Sequence, residues 1–531
     1  MRDLQAKEIV MTEKNKPTHR RPTSAGHTPR RADGRTSGKA VRKAPGKGVQ
    51  KTPGRAGAFL PVLVLLAGIL FMVMAHTYLS ILLMAAGAIL ILVLAWVFAK
   101  MISNRKSPGI SKACRILSVI LALFLLLGSL AAYRGDLALQ RIAGTKKDHY
   151  EVSLVVLKDS DCKDAKDVLK SGSPLIAYNE TYDQPIAGVS AKAIEKETGM
   201  EVSLDPYSRY SYLVQGLEAG SAGAILVNET HRSLIEKVSK NFSKKTKVLT
   251  TYSIPASKKV SSDAVKDPAK ECCVIYVSGI DARKEVTSKS RSDANMLVVI
   301  NPNTRQVLLL GIPRDYFIPF PSTGASDKLT HSGLYGVGES VGALENLLGI
   351  DINYYARVNF SAAVEMVDAV GGITVDSPVA FTTLDDKYEI KEGKNHLNGD
   401  QALYFMRSRK MLKGGDNDRV SNQIRVLKAL LKKVVSPIGL IHINSVMKAA
   451  ETNIITNMSL SEMRSLVRFQ INHFPDWDIQ NYQLSGSDLY TTQAHLTYGT
   501  RTYVMEPDAD SVAKGKSLVE AMLKDEVIKT K

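Results

Sequence analysis

The sequence predicts an α/β protein: a central mixed β-sheet with helices on both faces, preceded by a smaller α/β unit and by three N-terminal transmembrane helices. Three features carry that expectation. Residues 56–99 hold no Asp, Glu, Lys or Arg, a run of 44, about twice the roughly 20 residues one span needs. Strand-like and helix-like patterns alternate through the rest of the chain, as they do where helices layer onto a sheet. Three runs, 274–277, 296–300 and 307–312, are dense in Val, Leu and Ile, as in strands buried on both faces. At about 150 residues per domain, 531 residues leave room for two or three folded units.

The N-terminal region comes first. Residues 1–57 hold 15 Lys and Arg against 4 Asp and Glu, so this stretch alone supplies +11 of the formal +18. Pro, Gly, Ser and Thr recur in it without hydrophobic period, which predicts a disordered basic tail. Spans follow at 58–75, 79–99 and 116–133; His76, Thr77 and Tyr78 separate the first two. Lys100, Arg105, Lys106, Lys112 and Arg115 occupy the loop before the third, without an acid. The positive-inside rule puts that loop and the tail in the cytoplasm and everything after Arg134 outside. The spans carry no mid-membrane charge, so they predict an anchor and not an ion pathway. The apolar run starts too far from residue 1 for a cleaved signal peptide. The basic tail has no helix-turn-helix pattern or zinc-ligand spacing, so a membrane and no nucleic acid is the expected partner.

Outside, residues 150–256 predict the smaller α/β unit: strands at 151–157 and 222–227, helices at 187–199 and 233–241. A Lys/Ser-rich divider at 257–270 separates it from a larger α/β domain over 271–531. There the three buried strands are followed by helical patterns at 337–348, 361–370, 400–406, 419–435, 459–474 and 509–524, with further strands at 354–360 and 373–375. Of the four cysteines, Cys114 starts the third span while Cys162, Cys272 and Cys273 fall outside. A Cys162 bridge to Cys272 or Cys273 and three inert thiols both fit.

Charged residues stand at the ends of the buried strands, where open α/β sheets hold their ligands. Asp281 follows the first strand, Arg291-Ser292-Asp293 opens the second, and Pro313-Arg314-Asp315 closes the third. Downstream come Arg407, Arg409, Asp416, Arg419 and Gln423. The last three share a helix face by their spacing, whereas Arg407 and Arg409 share a side only if the helix has by then become extended chain. Guanidinium forks bind phosphate oxygens bidentately, and paired carboxylates hold a hard divalent metal on the same oxygens. Arginines facing aspartates therefore suit a pyrophosphate, ordinary ion pairs being the alternative for any one residue.

Gly279-Ile280-Asp281, Arg291-Ser292-Asp293, Pro313-Arg314-Asp315, Lys328, Asp351-Ile352-Asn353-Tyr354-Tyr355, Val367 to Gly372, Leu397 to Leu403, Arg407-Ser408-Arg409, and Asp416 with Arg419 and Gln423 resemble, in order, the motifs of the LytR–CpsA–Psr (LCP) family. The likeness covers roughly 273–435; the membrane anchor and the preceding α/β unit, as an accessory domain, are similar to capsule-type members. The resemblance implies a phosphotransferase on the outer face of a Gram-positive membrane. Such a protein moves a glycopolymer (teichoic acid, capsule or another wall polysaccharide) from an undecaprenyl-pyrophosphate carrier to peptidoglycan. It further implies Mg²⁺, or Mn²⁺, on Asp281 and Asp293, with Arg291, Arg314, Lys328, Arg407, Arg409, Arg419 and Gln423 on the pyrophosphate. The polyprenyl tail would lie in an apolar tunnel between the sheet and helices such as 361–370. Two positions depart from the family pattern: Asn422, where members often have Arg, and Val337, where they have a second Gly after Gly336.

Asp416 is the expected general base, with Asp315 the second candidate; both carboxylates would alternatively orient arginines. Arg314 would act beside them on the transition-state charge. Competing functions are hydrolysis of the lipid pyrophosphate and a non-catalytic membrane receptor or regulator. The chain has no Walker loop, Gly-x-Ser-x-Gly elbow or His-Glu-x-x-His, so ATPase, serine esterase and zinc peptidase lack support.

Overall fold

The computed structural model describes residues 55–104, 106–143, 149–171, 175–255, 265–280, 290–409 and 412–530. The basic tail up to residue 54 and Asp281 lie outside the described residues. Three helices come first, α1 (Arg55–Ala75), α2 (Ile81–Ser103) and α3 (Pro108–Ala143). Ser80 caps α2 by accepting the Leu83 N–H, a bond that satisfies one of the helix's orphan donors. Of the three expected spans, α2 and α3 are long and apolar enough to cross a membrane; the apolar part of the first, Phe59–Ala75, is shorter. Only Ala56, Gly57 and Ala58 separate it from Arg55, and His76 follows it directly. α3 continues past 133 to Ala143, carrying Asp136 beyond the apolar stretch.

Five strands follow, β1 (His149–Leu157), β2 (Ile176–Asn179), β3 (Leu204–Tyr207), β4 (Ala224–Asn228) and β5 (Thr246–Pro255), ordered β3-β2-β4-β1-β5. β2 runs parallel to β3 and β4, and β1 antiparallel to β4 and β5. Helices α4 (Ala165–Lys170), α5 (Glu180–Thr198), α6 (Tyr210–Glu218), α7 (Arg232–Val238) and α8 (Phe242–Lys245) connect them. Alternation along β1 decides the two faces: Val152, Leu154 and Val156 pack with Ile186 and Ile194 of α5, while Val155 packs with Leu213 and Leu217 of α6.

The larger sheet has six strands. β6 (Cys273–Ile280), β7 (Ser292–Asn301) and β8 (Gln306–Ile312) are its antiparallel centre. A short hairpin, β9 (Phe317–Pro319) and β10 (Ser326–Lys328), leads to α9 (Leu329–Ser332) and α10 (Val337–Leu348). β11 (Tyr354–Asn359) then pairs parallel to β6, and α11 (Phe360–Ala369) leaves its end. Beyond lie β12 (Ile373–Ser377), the small pair β13 (Phe381–Thr382) and β14 (Glu389–Ile390), β15 (Gly393–Leu397), α12 (Gly399–Arg407) and α13 (Asp416–Val434). The chain ends with α14 (Pro437–Ile441), α15 (Ile443–Asn453), β16 (Ile454–Thr456), α16 (Leu460–His473), β17 (Asp478–Gln483), the hairpin β18 (Gly486–Thr491) and β19 (Thr502–Pro507), and α17 (Ala509–Leu523).

The order β16-β11-β6-β7-β8-β17 mixes parallel and antiparallel pairs. Leu297, Val299, Leu308 and Leu310 face α10 and α17; Met296, Val298, Val307 and Leu309 face Val420 and Ile424 of α13. Both faces are therefore covered, and each fully buried Val or Leu contributes about 1.5–3 kcal/mol. All four cysteines are free thiols, which leaves the Cys162 bridge unmade.

α16 joins this domain to the helical hairpin. Arg464 donates through Nε and Nη2 to Asp136 of α3 at 2.7 and 2.6 Å, and Tyr78 donates to the same carboxylate. One and two turns on, Arg468 Nε donates to the Thr77 carbonyl and Asn472 Oδ1 accepts the Ser80 N–H.

Candidate active site

Sheet register builds the site. β7 and β8 pair Asn295 with Ile312, so two residues further the start of β7 brings Asp293 opposite Arg314. β6 ends with Ile280 opposite Ser292, across a bulge, and Asn359 at the end of β11 lies beside Ile280. Four strand ends thus meet at one edge. Beneath it a buried network fixes the bulge: Ser292 Oγ and Tyr276 OH both donate to Asn295 Oδ1, at 2.7 and 2.6 Å.

Arg314 is the hub. Its Nη1 donates to Asp293 Oδ1 at 2.5 Å, and its Nε lies 3.6 Å from Asp315 and 3.7 Å from Asp416. Lys328 Nζ holds the other side of Asp315 at 2.9 Å. Asp416, in the first turn of α13, takes Arg419 Nη2 at 2.8 Å, the i,i+3 pairing its spacing predicts. Burial works against the charge on Arg314, but Asp293, Asp315 and Asp416 raise its pKa above the ordinary value. Burial raises the Asp416 carboxyl, against the pull of Arg419 and Arg314; it also lowers Arg419.

A cavity of about 310 Å³ opens at this edge, lined by Asp293, Arg314, Phe360, Leu384, Arg407, Arg409, Arg419 and Gln423. Arg407 ends α12, and Ser408 after it is extended, with φ −66° and ψ 126°. That switch brings Arg407 and Arg409, two apart, to the same cavity. Asp315, Asp416 and Lys328 support the wall through their ion pairs. Arg291 is exposed and absent from the lining. Phe360 and Leu384 were not expected there; Phe360 carries the Arg407 guanidinium over its ring at 5.7 Å. The rest of α11 packs Met366 and Val367 against α12 and α13.

Among the described residues no group of three or more metal-type ligands occurs. Asp293 accepts, among the described residues, from Arg314 and Thr330 through Oδ1. As a cavity-lining carboxylate it offers the hard oxygen donors that suit an ion taking one or two carboxylates and completing its shell with phosphate and water. Among the described residues, Nε of Arg314, between Asp315 and Asp416 at ion-pair distance, and Nε of Arg419 are buried without a hydrogen bond. Two such donors beside one cavity suit an anionic ligand with several acceptor oxygens. Asn422 does not join them: it donates to the Phe405 carbonyl and accepts from Arg425 on the other side of α13.

The chain is similar to known proteins. The teichoic acid transferase TagU of Bacillus anthracis is 37% identical over 190 residues, 36% of this chain and 61% of that protein. TagV of Bacillus subtilis is 31% identical over 267 residues, 49% of this chain and 66% of that protein. The chain thus matches less than two thirds of these relatives' length. The crystal structure of B. subtilis TagV aligns with 49% of this chain and 99% of its own at 29% identity and a TM-score of 0.40. TagT bound to LIIa-WTA aligns with 49% and 94% at 26% identity, also with a TM-score of 0.40. The LytR_cpsA_psr family model matches residues 236–513, more than half of the sequence, and the chain belongs to that family.

Proposed function

We propose that the protein is a phosphotransferase that moves a glycopolymer from an undecaprenyl-pyrophosphate lipid to peptidoglycan at the outer face of a membrane. The observation that carries this is the convergence of Arg314, Arg407, Arg409 and Arg419 on one cavity with Asp293. The full name of TagU and TagV, polyisoprenyl-teichoic acid–peptidoglycan teichoic acid transferase, supports the same class.

In this mechanism the arginines and Gln423 hold the pyrophosphate oxygens. A glycan hydroxyl attacks the phosphorus that carries the polymer: the new O–P bond forms as the bond to the bridging oxygen breaks, and polyprenyl phosphate leaves. Asp416 takes the hydroxyl proton; its raised pKa makes it a better base than an ordinary aspartate. Asp315, tied to Lys328, keeps Arg314 in line. Asp293, with Asp281, would hold Mg²⁺ or Mn²⁺. When bound, that ion supplies positive charge next to the phosphate oxygens. Most of the rate enhancement then comes from positioning and fixed charge.

All three apolar helices cross the membrane in this proposal, with the N-terminal tail in the cytoplasm. α1, with 21 residues, is about 31 Å long at 1.5 Å per residue, enough for a hydrocarbon core of about 30 Å. The test is transfer of lipid-linked polymer by the full chain in vesicles, with and without glycan chains. Product should appear on glycan only, and Asp293→Ala should abolish it. Full activity in that variant would sink the role of the carboxylate, and release of polymer without glycan would make the protein a hydrolase.

A further inference from the structure

The C-terminal end of α16 carries an aromatic group that the transfer reaction does not use. Phe469 stacks on His473 with centroids 4.8 Å apart and lies 5.8 Å from Trp477. Trp477 is fixed by its Nε1–H donating to Gln470 at 2.8 Å. Phe474 ends the helix in the left-handed region, with φ 42°, and is 44% exposed. A large apolar side chain at a strained, solvent-facing position calls for a partner.

The depth of this group is set by the neighbouring helices. Ile81 and Leu82, the first residues of α2, are 87% and 82% exposed, so hydrocarbon surrounds the chain from that level. Ser80, just before them, gives its N–H to Asn472 Oδ1 at 2.9 Å. Arg464, two turns earlier, grips Asp136 just beyond the apolar stretch of α3. Those two turns span about 12 Å, roughly the 8–10 Å between neighbouring helices. α16 therefore lies across the outer ends of α2 and α3. Phe474 is two residues from Asn472, at most about 7 Å in Cα position. The headgroup layer is roughly 5–8 Å thick on each side, so Phe474 falls within it.

We propose that Phe474, at the same helix end as the Phe469, His473 and Trp477 group, is a docking patch for the outer leaflet of the bilayer, seated at the boundary of headgroups and acyl chains. Amphipathic aromatic rings favour that layer, and exposed Arg468 on the same helix end matches phospholipid phosphates. The patch ties the domain to the surface where a lipid-borne substrate arrives, fixing its tilt as α1–α3 alone would not. This inference rests on the proposal that α1–α3 cross a membrane.

The chain holds two tryptophans, Trp96 in α2 and Trp477, so each is isolated by one substitution in the full-length protein. The test uses vesicles of phosphatidylcholine and phosphatidylglycerol brominated either near the ester or near the methyl end of the chains. In Trp96→Phe, shallow bromines should quench Trp477 more than deep ones, and adding Phe474→Glu should remove the quenching. In Trp477→Phe, brominated lipid should quench Trp96, which lies near the inner end of α2 beside Lys100. Trp96 quenched while Trp477 is not, and while a tryptophan placed by Phe474→Trp in the doubly substituted chain is not, overturns the patch and leaves the anchor standing. Quenching at neither position overturns both.

Discussion

In the proposed mechanism the chemistry turns on Asp416, the carboxylate that pairs with Arg419 and Arg314 behind the cavity wall. Burial raises its pKa, so the base form is lost at a higher pH than for an ordinary aspartate. Transfer should therefore show an acid limb above the usual aspartate range near 3.9, falling as pH drops through the raised value. Asp416→Asn should abolish that limb and cut kcat about 10²-fold or more, as loss of a general base does; a limb that persists in the variant would assign it elsewhere. Arg357 bears on the same edge from below. Its side chain is 0% exposed and donates to the Ser290 and Gly333 carbonyls, at 3.3 and 3.2 Å, ahead of Asp293. Arg357→Met should cost about 2 kcal/mol in urea unfolding, since carbonyls lose their donor. It should also weaken transfer by moving the start of β7. Gly333 admits no side chain here, as a Cβ would meet the Ser290 carbonyl at 2.5 Å and the Ser292 nitrogen at 2.9 Å.

At the scale of elements, the grip of α16 on α3 is an electrostatic clasp. Arg464 above all, with Tyr78 and Gln140, holds the Asp136 carboxyl down to about 2. A depressed carboxylate stabilises above its unfolded pKa, near 3.9, and the contribution disappears as pH falls through about 2. The clasp should thus open between those values and be intact at neutral pH. Asp136→Asn should speed hydrogen exchange of α16 amides by the equivalent of about 1 kcal/mol, the pair being partly exposed; unchanged exchange would show that packing alone holds the helix. The same elements show what the sequence could convey. β6, β7 and β8 were legible because burial on both faces leaves continuous apolar runs. β17, Asp478–Gln483, was not: it joins the sheet edge beside β8 through backbone pairing with polar side chains, so no period marks it. β2 and β3 are only four residues long, and α5 starts at Glu180, not 187, running through Pro185 and Gly188. Within the site, strand-end charges announced Arg314 and Asp293, with ion pairing among them as an alternative, but not which partners meet, which depends on register across two strands. Phe360 and Leu384 carry no pattern that separates a cavity wall from core.

For the whole molecule the question is which end faces which side, and the thiols can answer it. Most of the +18 charge lies in the tail before the first apolar helix, so the positive-inside rule predicts a cytoplasmic tail and, with three crossings, a cytoplasmic loop before α3. Cys114 lies near the start of α3, at that end, and Cys162 lies in the unit that follows α3. Burial pushes the Cys272 and Cys273 thiols up to about 12, which leaves them almost no thiolate to react. A membrane-impermeant maleimide on intact cells is therefore read by Cys162 or Cys114 alone. Three crossings predict labelling that Cys162→Ser removes and Cys114→Ser does not. With only α2 and α3 crossing, Cys162 would share the cytoplasm with the tail, and Cys114, at the loop between them, would face outside. Labelling that Cys114→Ser removes would therefore put the arginine cavity on the cytoplasmic side, away from peptidoglycan. The outcome decides whether the lipid pyrophosphate and the glycan acceptor can meet at Arg314 and Asp416 at all.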